Sequence, residues 1–251
     1  MPNLSNNFIA GDWVKGSSSI SNINPSDTND VIGEYAQASI AQLDDALNSA
    51  QMAQKKWAAT GLEQRQAVLM KIGEEMMARS AELGELLSRE EGKPVAEGKG
   101  EIYRAGQFFT YYAAEVLRQS GDTADSVRPN IEIDVRREAM GTVAIISPWN
   151  FPTATASWKI APALAFGNAV IWKPANLTPA SAVALTEIIA KQDIPKGLFN
   201  LVMGSGSSIG QALAESPKVH AISFTGSYDV GLQIAGAAAK NLTKFQLELG
   251  S

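Results

Sequence analysis

The chain has no cysteine and a single histidine, His220. The first absence excludes disulfides, thiolate metal sites and a cysteine nucleophile within these residues. The second leaves too little for a histidine-rich site, so no metal is expected. A surplus of positive charge is also missing: 21 Lys and Arg stand against 26 Asp and Glu, a formal net charge of -5. Phosphate-backbone binding needs clustered cations, which argues against nucleic acid as a partner. No apolar run approaches the roughly 18 residues of a membrane span. The polar opening Met1 to Asn7 lacks the basic-then-apolar order of a signal peptide, so no membrane partner and a cytoplasmic location are the expectations.

What is present is a chain of 251 residues, 45% of them hydrophobic, enough for one or two domains with a large core. Residues 8–38 alternate short strand-like pieces (Phe8-Ile9, Trp13-Val14, Val31-Ile32) with turn clusters. Behind Ser39, a candidate N-cap, Leu43, Leu47, Ala50 and Trp57 recur at helical spacing and predict a helix over 40–59. Further helices are predicted over 62–79, 81–90 and after Gly92-Lys93-Pro94 towards Gln119, followed by a polar break at 121–130. Ile131, Ile133 and Val135 alternate with Glu132, Asp134 and Arg136, the pattern of a half-exposed strand at an edge or a subunit contact. From residue 141 the character changes. Thr142–Ile146, Ala169–Trp172, Phe199–Val202 and Val219–Phe224 are continuous apolar runs, separated by helix-like stretches at 154–167, 179–191, 207–215 and 227–239. Strands buried on both faces and alternating with helices predict an α/β fold with a doubly wound, Rossmann-like parallel sheet, preceded by a helical segment.

In such sheets ligands bind beyond the carboxyl ends of the strands, so the residues after each run are the candidates. Ile146-Ser147-Pro148-Trp149-Asn150-Phe151-Pro152 follows the first. Two prolines hold the backbone around an amide, so Asn150 is either a rigid donor to a developing oxyanion or a turn residue bonding its own backbone. Lys173-Pro174-Ala175-Asn176 follows the second; its lysine reaches either ribose and phosphate oxygens or, snorkelling, solvent. Gly204-Ser205-Gly206-Ser207-Ser208-Ile209-Gly210 follows the third, with Gly206 and Gly210 one residue too far apart for a dinucleotide fingerprint. Phe224-Thr225-Gly226-Ser227 follows the fourth, where Gly226 permits close approach and Ser227 either helps hold a phosphate or simply caps a helix. Glu248 lies between Leu247 and Leu249, where burial would raise its pKa towards a general base's range; an amphipathic strand is the plain alternative. His220, at the start of a strand, reads as a satisfied polar residue.

Taken in order, these elements resemble the aldehyde dehydrogenase superfamily over nearly the whole chain: Phe8–Trp13, Asn24-Pro25, Glu91-Gly92-Lys93-Pro94, Pro148–Pro152, Trp158–Leu164, Phe224–Ser227 and Glu248-Leu249-Gly250. The resemblance implies the coenzyme-binding half of an enzyme that oxidises an aldehyde to its acid through a cysteine thioester. It implies Asn150 as the oxyanion donor, Glu248 as the general base and Lys159 as a proton relay behind it. For NAD or NADP it implies Ile146, Ser147, Pro148, Trp149, Lys173, Ala175, Asn176, Gly206, Gly210, Phe224, Thr225, Gly226, Ser227, Val230 and Leu249. Phe151 and Trp158 would line the substrate passage. Many NAD-preferring members have a glutamate where this chain has Asn176; a neutral amide repels a 2′-phosphate less, so NADP becomes admissible. Ala139 replaces a usual proline, and Ser251 stands where the family has a second glycine. The family's nucleophilic cysteine lies further on, so the 251-residue chain reads as a truncated half without its catalytic domain, inactive by itself.

The resemblance also implies a division into 1–121 (strands and helices of the coenzyme-binding domain), 122–140 (an oligomerisation strand or hairpin, for a homo-oligomer) and 141–251 (the coenzyme-binding sheet). Trp172 to Ser181 looks like 2-oxoglutarate-semialdehyde (2,5-dioxovalerate) dehydrogenases, which implies an oxo-acid semialdehyde, with succinate-semialdehyde dehydrogenases as the near alternative. A non-catalytic nucleotide-binding protein is the reading from another class. It has no need of an oxyanion donor or a base, which weighs against it.

Overall fold

The structure is a computed structural model that describes residues 4–250; Ser251, and the reading attached to it, lie outside the described residues. The elements run β1 (Leu4–Ser5), β2 (Asn7–Ile9), β3 (Asp12–Val14), β4 (Ser18–Ile23), β5 (Val31–Gln37), then helices α1 (Ile40–Ala58), α2 (Leu62–Ala78), α3 (Ser80–Glu91) and α4 (Val95–Val116). After them come β6 (Asp122–Asp125), β7 (Glu132–Val135), β8 (Thr142–Ile146), α5 (Pro152–Ala165), β9 (Ala169–Lys173), α6 (Pro179–Ala190) and β10 (Phe199–Leu201). A π turn (Gly206–Gly210), α7 (Gln211–Glu215), β11 (Ala221–Ser227), α8 (Tyr228–Ala239) and β12 (Lys244–Gly250) complete the order.

The main sheet has seven strands in the order β12-β11-β8-β9-β10-β2-β3, parallel from β12 to β10 and antiparallel through the hairpin β2–β3. Thr142–Ile146 and Ala169–Lys173 pair residue for residue and are nearly all buried, which is why both read as unbroken apolar runs. Two successive crossovers step from β8 to β10 in one direction; the next two return past β8 to β11 and β12. Right-handed crossovers therefore put α5 and α6 on one face and α7 and α8 on the other. The reversal falls between β8 and β11. That is the switch point of the sheet.

Helices α2, α3 and α4 form a layer outside α5 and α6. Helix α1 starts where predicted, at a reciprocal capping box: Gln42 N donates to Ser39 Oγ at 3.2 Å and Ser39 N to Gln42 Oε1 at 3.0 Å. Trp57, fully buried on the same helix, donates Nε1–H to the Leu164 carbonyl at 2.8 Å and so ties α1 to the end of α5. The α2–α4 crossing depends on paired glycines. A Cβ on Gly106 would lie 2.7 Å from both the Gly73 carbonyl oxygen and Met77 Cγ. Gly106→Ala is therefore expected to cost about 1–3 kcal/mol by overpacking, despite alanine's better helix propensity. A urea midpoint equal to or above that of the unmodified chain would refute this.

The segment 121–130, expected to be a polar break, instead contains β6, which pairs antiparallel with β7 in a separate hairpin. The strand-like alternation at 131–136 falls on β7, a half-exposed strand as expected. Ile131, Ile133 and Val135 are 47%, 44% and 48% exposed, because among the described residues nothing covers either face of the hairpin. The helix predicted from residue 207 begins as a π turn at Gly206 and becomes α-helical only at Gln211. The two glycines and three serines among residues 205–210 are weak helix formers, so the first turn is loose.

Candidate functional site

The ends of β11 and β12 carry one polar network, set by strand register. Ser223 lies opposite Gln246 and Thr225 opposite Glu248. Thr225 Oγ1 donates to Glu248 Oε2 at 2.7 Å, and Gln246 Nε2 reaches Glu248 Oε1 at 3.3 Å. From α5, Lys159 extends across to the same carboxylate, Nζ to Oε1 at 3.1 Å, and donates to Ser223 Oγ at 3.0 Å. Its side chain is almost fully enclosed, whereas that of Glu248 remains 33% exposed. Burial lowers the Lys159 pKa and the Glu248 charge partly restores it. Full burial between its apolar neighbours does not occur: Glu248 is a half-exposed carboxylate held by a threonine and a lysine. Trp158, Lys159, Ser223, Gln246 and Glu248 share the wall of an open cavity of about 680 Å³ between α5 and the sheet.

The loop after β8 lies at the switch point. Ser147 is buried; its hydroxyl accepts from Trp172 Nε1 at 2.9 Å and its N–H donates to the Lys173 carbonyl at 3.3 Å. Ile146 is buried, Pro148 half-buried, and Trp149, Asn150 and Phe151 are exposed. Among the described residues the Asn150 side-chain amide makes no hydrogen bond, so it is not spent on its own turn. Trp158 meets Phe108 edge-on at 5.8 Å. No hydrogen bond among the described residues joins Asn150 to the Lys159–Glu248 pair.

On β9, Lys173 is 5% exposed, and among the described residues its ammonium donates only to the Pro174 carbonyl, at 2.8 Å. Burial pushes its pKa down to about 8. Two N–H groups remain for an acceptor supplied from outside. Ala175 and Asn176 are half-buried in the loop leading to α6, and Gly210, at the end of the π turn, lies beside the Lys173 stem; Gly206, at its start, is exposed. Ser227 occupies the N-cap position of α8 without making a side-chain capping bond, so among the described residues its hydroxyl and the first helix N–H groups are free. Phe224 is buried and packs under Gly226; Val230 and Leu249 are exposed, with Leu249 over Gly231. A buried lysine with two unspent N–H groups, an uncapped helix start and a glycine beside it, all around one switch point, fit a dinucleotide.

The aldehyde dehydrogenase family profile matches residues 13–251. The chain belongs to the aldehyde dehydrogenase family. It is 38% identical over 246 residues to the α-ketoglutaric semialdehyde dehydrogenase of Bacillus subtilis, covering 97% of this chain and 50% of that protein. It is 36% identical over 245 residues to the NADP+ succinate-semialdehyde dehydrogenase of Escherichia coli, covering 97% of this chain and 51% of that one. Betaine aldehyde dehydrogenase from Staphylococcus aureus in complex with NAD+ superposes with a TM-score of 0.95 at 31% identity, over 98% of this chain and 50% of that structure. The chain thus spans about half the length of the relatives it matches. The near-equal identities of semialdehyde dehydrogenases with different substrates do not single out one aldehyde, so the narrower resemblance of Trp172–Ser181 does not set a substrate. Among the described residues no cluster of candidate metal ligands occurs, and no helix is long and apolar enough to cross a membrane.

Several residues in these contacts were not anticipated. Ser223 and Gln246 join Glu248 through a cross-strand register that the sequence does not state, although Lys244, Gln246 and Glu248 share one face by their period of two. Glu90 on α3, Lys93 between α3 and α4 and Glu101 on α4 reach the start of α6, the loop after β8 and the start of α5, each more than 50 positions away in sequence. No local pattern carries that information.

Proposed function

We propose that this chain is the coenzyme-binding half of an NAD- or NADP-dependent dehydrogenase that oxidises a semialdehyde of an oxo or dicarboxylic acid, working as a homo-oligomer. The Lys159–Glu248–Thr225 network carries this reading: it pairs a half-exposed carboxylate with an enclosed lysine on the wall of a cavity. Bound at the switch point, the coenzyme supplies a hydride acceptor. Lys173 and Asn176 would hold its ribose, while Gly226 and Ser227 would hold its pyrophosphate. Asn150 donates its amide to the oxyanion formed when a thiolate, from outside these residues, attacks the aldehyde. Glu248 then takes a proton from the water that releases the acid, and Lys159 and Thr225 orient the carboxylate for this. Phe151 and Trp158 give the aldehyde an apolar wall. Segments 1–121, 122–140 and 141–251 would act as the helical part, the oligomerisation hairpin and the coenzyme sheet.

The test is coenzyme binding to this chain, read by calorimetry in two buffers of different protonation enthalpy. Lys173 in the free protein has a pKa near 8, below that of an ordinary lysine. Ribose or phosphate acceptors favour its charged form and raise that value. The complex then holds more protons than its free components, so proton uptake is expected just above pH 8, with affinity falling as pH rises further. Binding without buffer dependence would remove Lys173 from the site. No binding of either nucleotide would sink the proposal.

A further inference from the structure

The Gly92-Lys93-Pro94 elbow joins α3 to α4 and has no role so far. Gly92 caps α3 in the left-handed region at φ 86°, which turns Lys93 inward. The Lys93 side chain is 8% exposed. Its ammonium donates to Glu101 Oε2 at 2.7 Å and to the main-chain carbonyl of Asn150 at 2.9 Å, and it lies 2.8 Å from Glu91 Oε2. The ring of Phe151 lies against the same ammonium, its centroid 4.2 Å away. The other oxygen of Glu101 accepts the N–H groups of Thr153 and Ala154, each at 3.0 Å, at the start of α5.

We infer that Lys93, held by Glu101, is the positioning residue for the Asn150 amide. The inference rests on the reading of Asn150 as an oxyanion donor. Residues 148–151 have no ladder of their own: Ser147 anchors the loop on one side, and Thr155 N donating to the Phe151 carbonyl anchors it on the other. Between those anchors, Lys93 grips the carbonyl of Asn150 and the ring of the next residue. It thereby sets the plane of the peptide that joins them and the direction of the Asn150 Cα–Cβ bond. Capping α5 requires only Glu101. A buried lysine facing two carboxylates is a costly addition to a cap, since an apolar side chain of similar volume usually packs there at lower cost. What the lysine adds is a fixed donor to one carbonyl in an otherwise irregular loop. Lys93 touches no reacting atom; it acts through Asn150.

The experiment uses the 251-residue chain, with Lys93→Met, and compares hydrogen exchange in peptides covering residues 147–156 with those from β9 and α6. The Asn150 side-chain amide resonance, assigned by its loss in Asn150→Asp, is followed alongside. The expected result is exchange faster by about tenfold or more in 147–156 alone, with the Asn150 amide moving to its free-chain position. Glu90→Gln, which disturbs the neighbouring cap on α6, serves as the control for general destabilisation and should leave the Asn150 resonance in place. Unchanged exchange and an unmoved resonance in Lys93→Met would overturn the inference. If Lys93→Met does not fold, Glu101→Gln loosens the ammonium while leaving an oxygen to cap α5, and the same two readouts decide. Neither depends on turnover. A loosened loop in Lys93→Met, with full activity of Asn150→Ala in a cysteine-bearing enzyme, would keep the positioning role and discard the oxyanion reading.

Discussion

Asn150→Ala is expected to lower kcat by about 10²–10³ in an enzyme where this chain continues into a cysteine-bearing half. The donor matters only once negative charge gathers on the carbonyl oxygen, so kcat and kcat/KM should fall together. Coenzyme affinity should stay within about twofold, because Lys173 and Ser227, which would grip the nucleotide, sit on other strands and hydrogen-bond to nothing on Asn150. The side chain is exposed and, among the described residues, free of hydrogen bonds, so the substitution removes a donor without orphaning a buried partner. Folding stability should therefore be nearly unchanged. Steady-state kinetics on the semialdehyde, paired with thermal unfolding of both proteins, separates the two effects. A kcat within a factor of about three of the parent would dismiss Asn150 as oxyanion donor.

Glu90→Ala is expected to cost about 3–5 kcal/mol of folding stability. Glu90 is 3% exposed and accepts four hydrogen bonds: from Asn22 Nδ2 at 3.1 Å, Ala180 N at 2.5 Å, Ser181 N at 2.9 Å and Ser181 Oγ at 2.6 Å. Asn22 Nδ2 also donates to the Leu177 carbonyl at 3.1 Å, so one carboxylate ties β4 and α3 to the start of α6 and to the loop bearing Asn176. Truncation leaves two backbone N–H groups at a helix N-terminus without an acceptor in a closed interior. The effect also depends on pH. Burial raises the Glu90 pKa from 4.5 to about 7, against the hydrogen bonds from Ser181 and Ala180. The folded state thus binds this proton more tightly than the unfolded chain. The corresponding stability is full below the unfolded value and is lost as pH rises through the folded one. Glu90→Ala should accordingly cost more at about pH 5 than at about pH 8. A denaturant series at both pH values measures this, and an equal or reversed cost would count against Glu90 titrating in the fold.

Most of the fold was legible because its elements carry strong periods. The capping box at Ser39–Gln42 and the apolar runs of β8 and β9 are local features whose physics lies within a few residues. The hairpin β6–β7 was harder to read: its strand Asp122–Asp125 is short, exposed throughout and has a single apolar residue, Ala124, and its partner's alternation marks no burial among the described residues. Strand pairing there comes from backbone hydrogen bonds, to which side-chain pattern is blind.

The sequence by itself determined the family and the residues available for chemistry: a loop amide at Asn150, a lysine after the second strand, a carboxylate near the end of the chain, and no thiol. It did so because motifs in fixed order are one-dimensional information. The tertiary structure decided which of these residues meet. Lys159 and Glu248 are 3.1 Å apart because α5 lies across the register of β11 with β12. Lys93 reaches the Asn150 carbonyl because α4 packs against α5. Such contacts depend on helix packing and strand order, which are properties of the whole core and appear in no window of the chain.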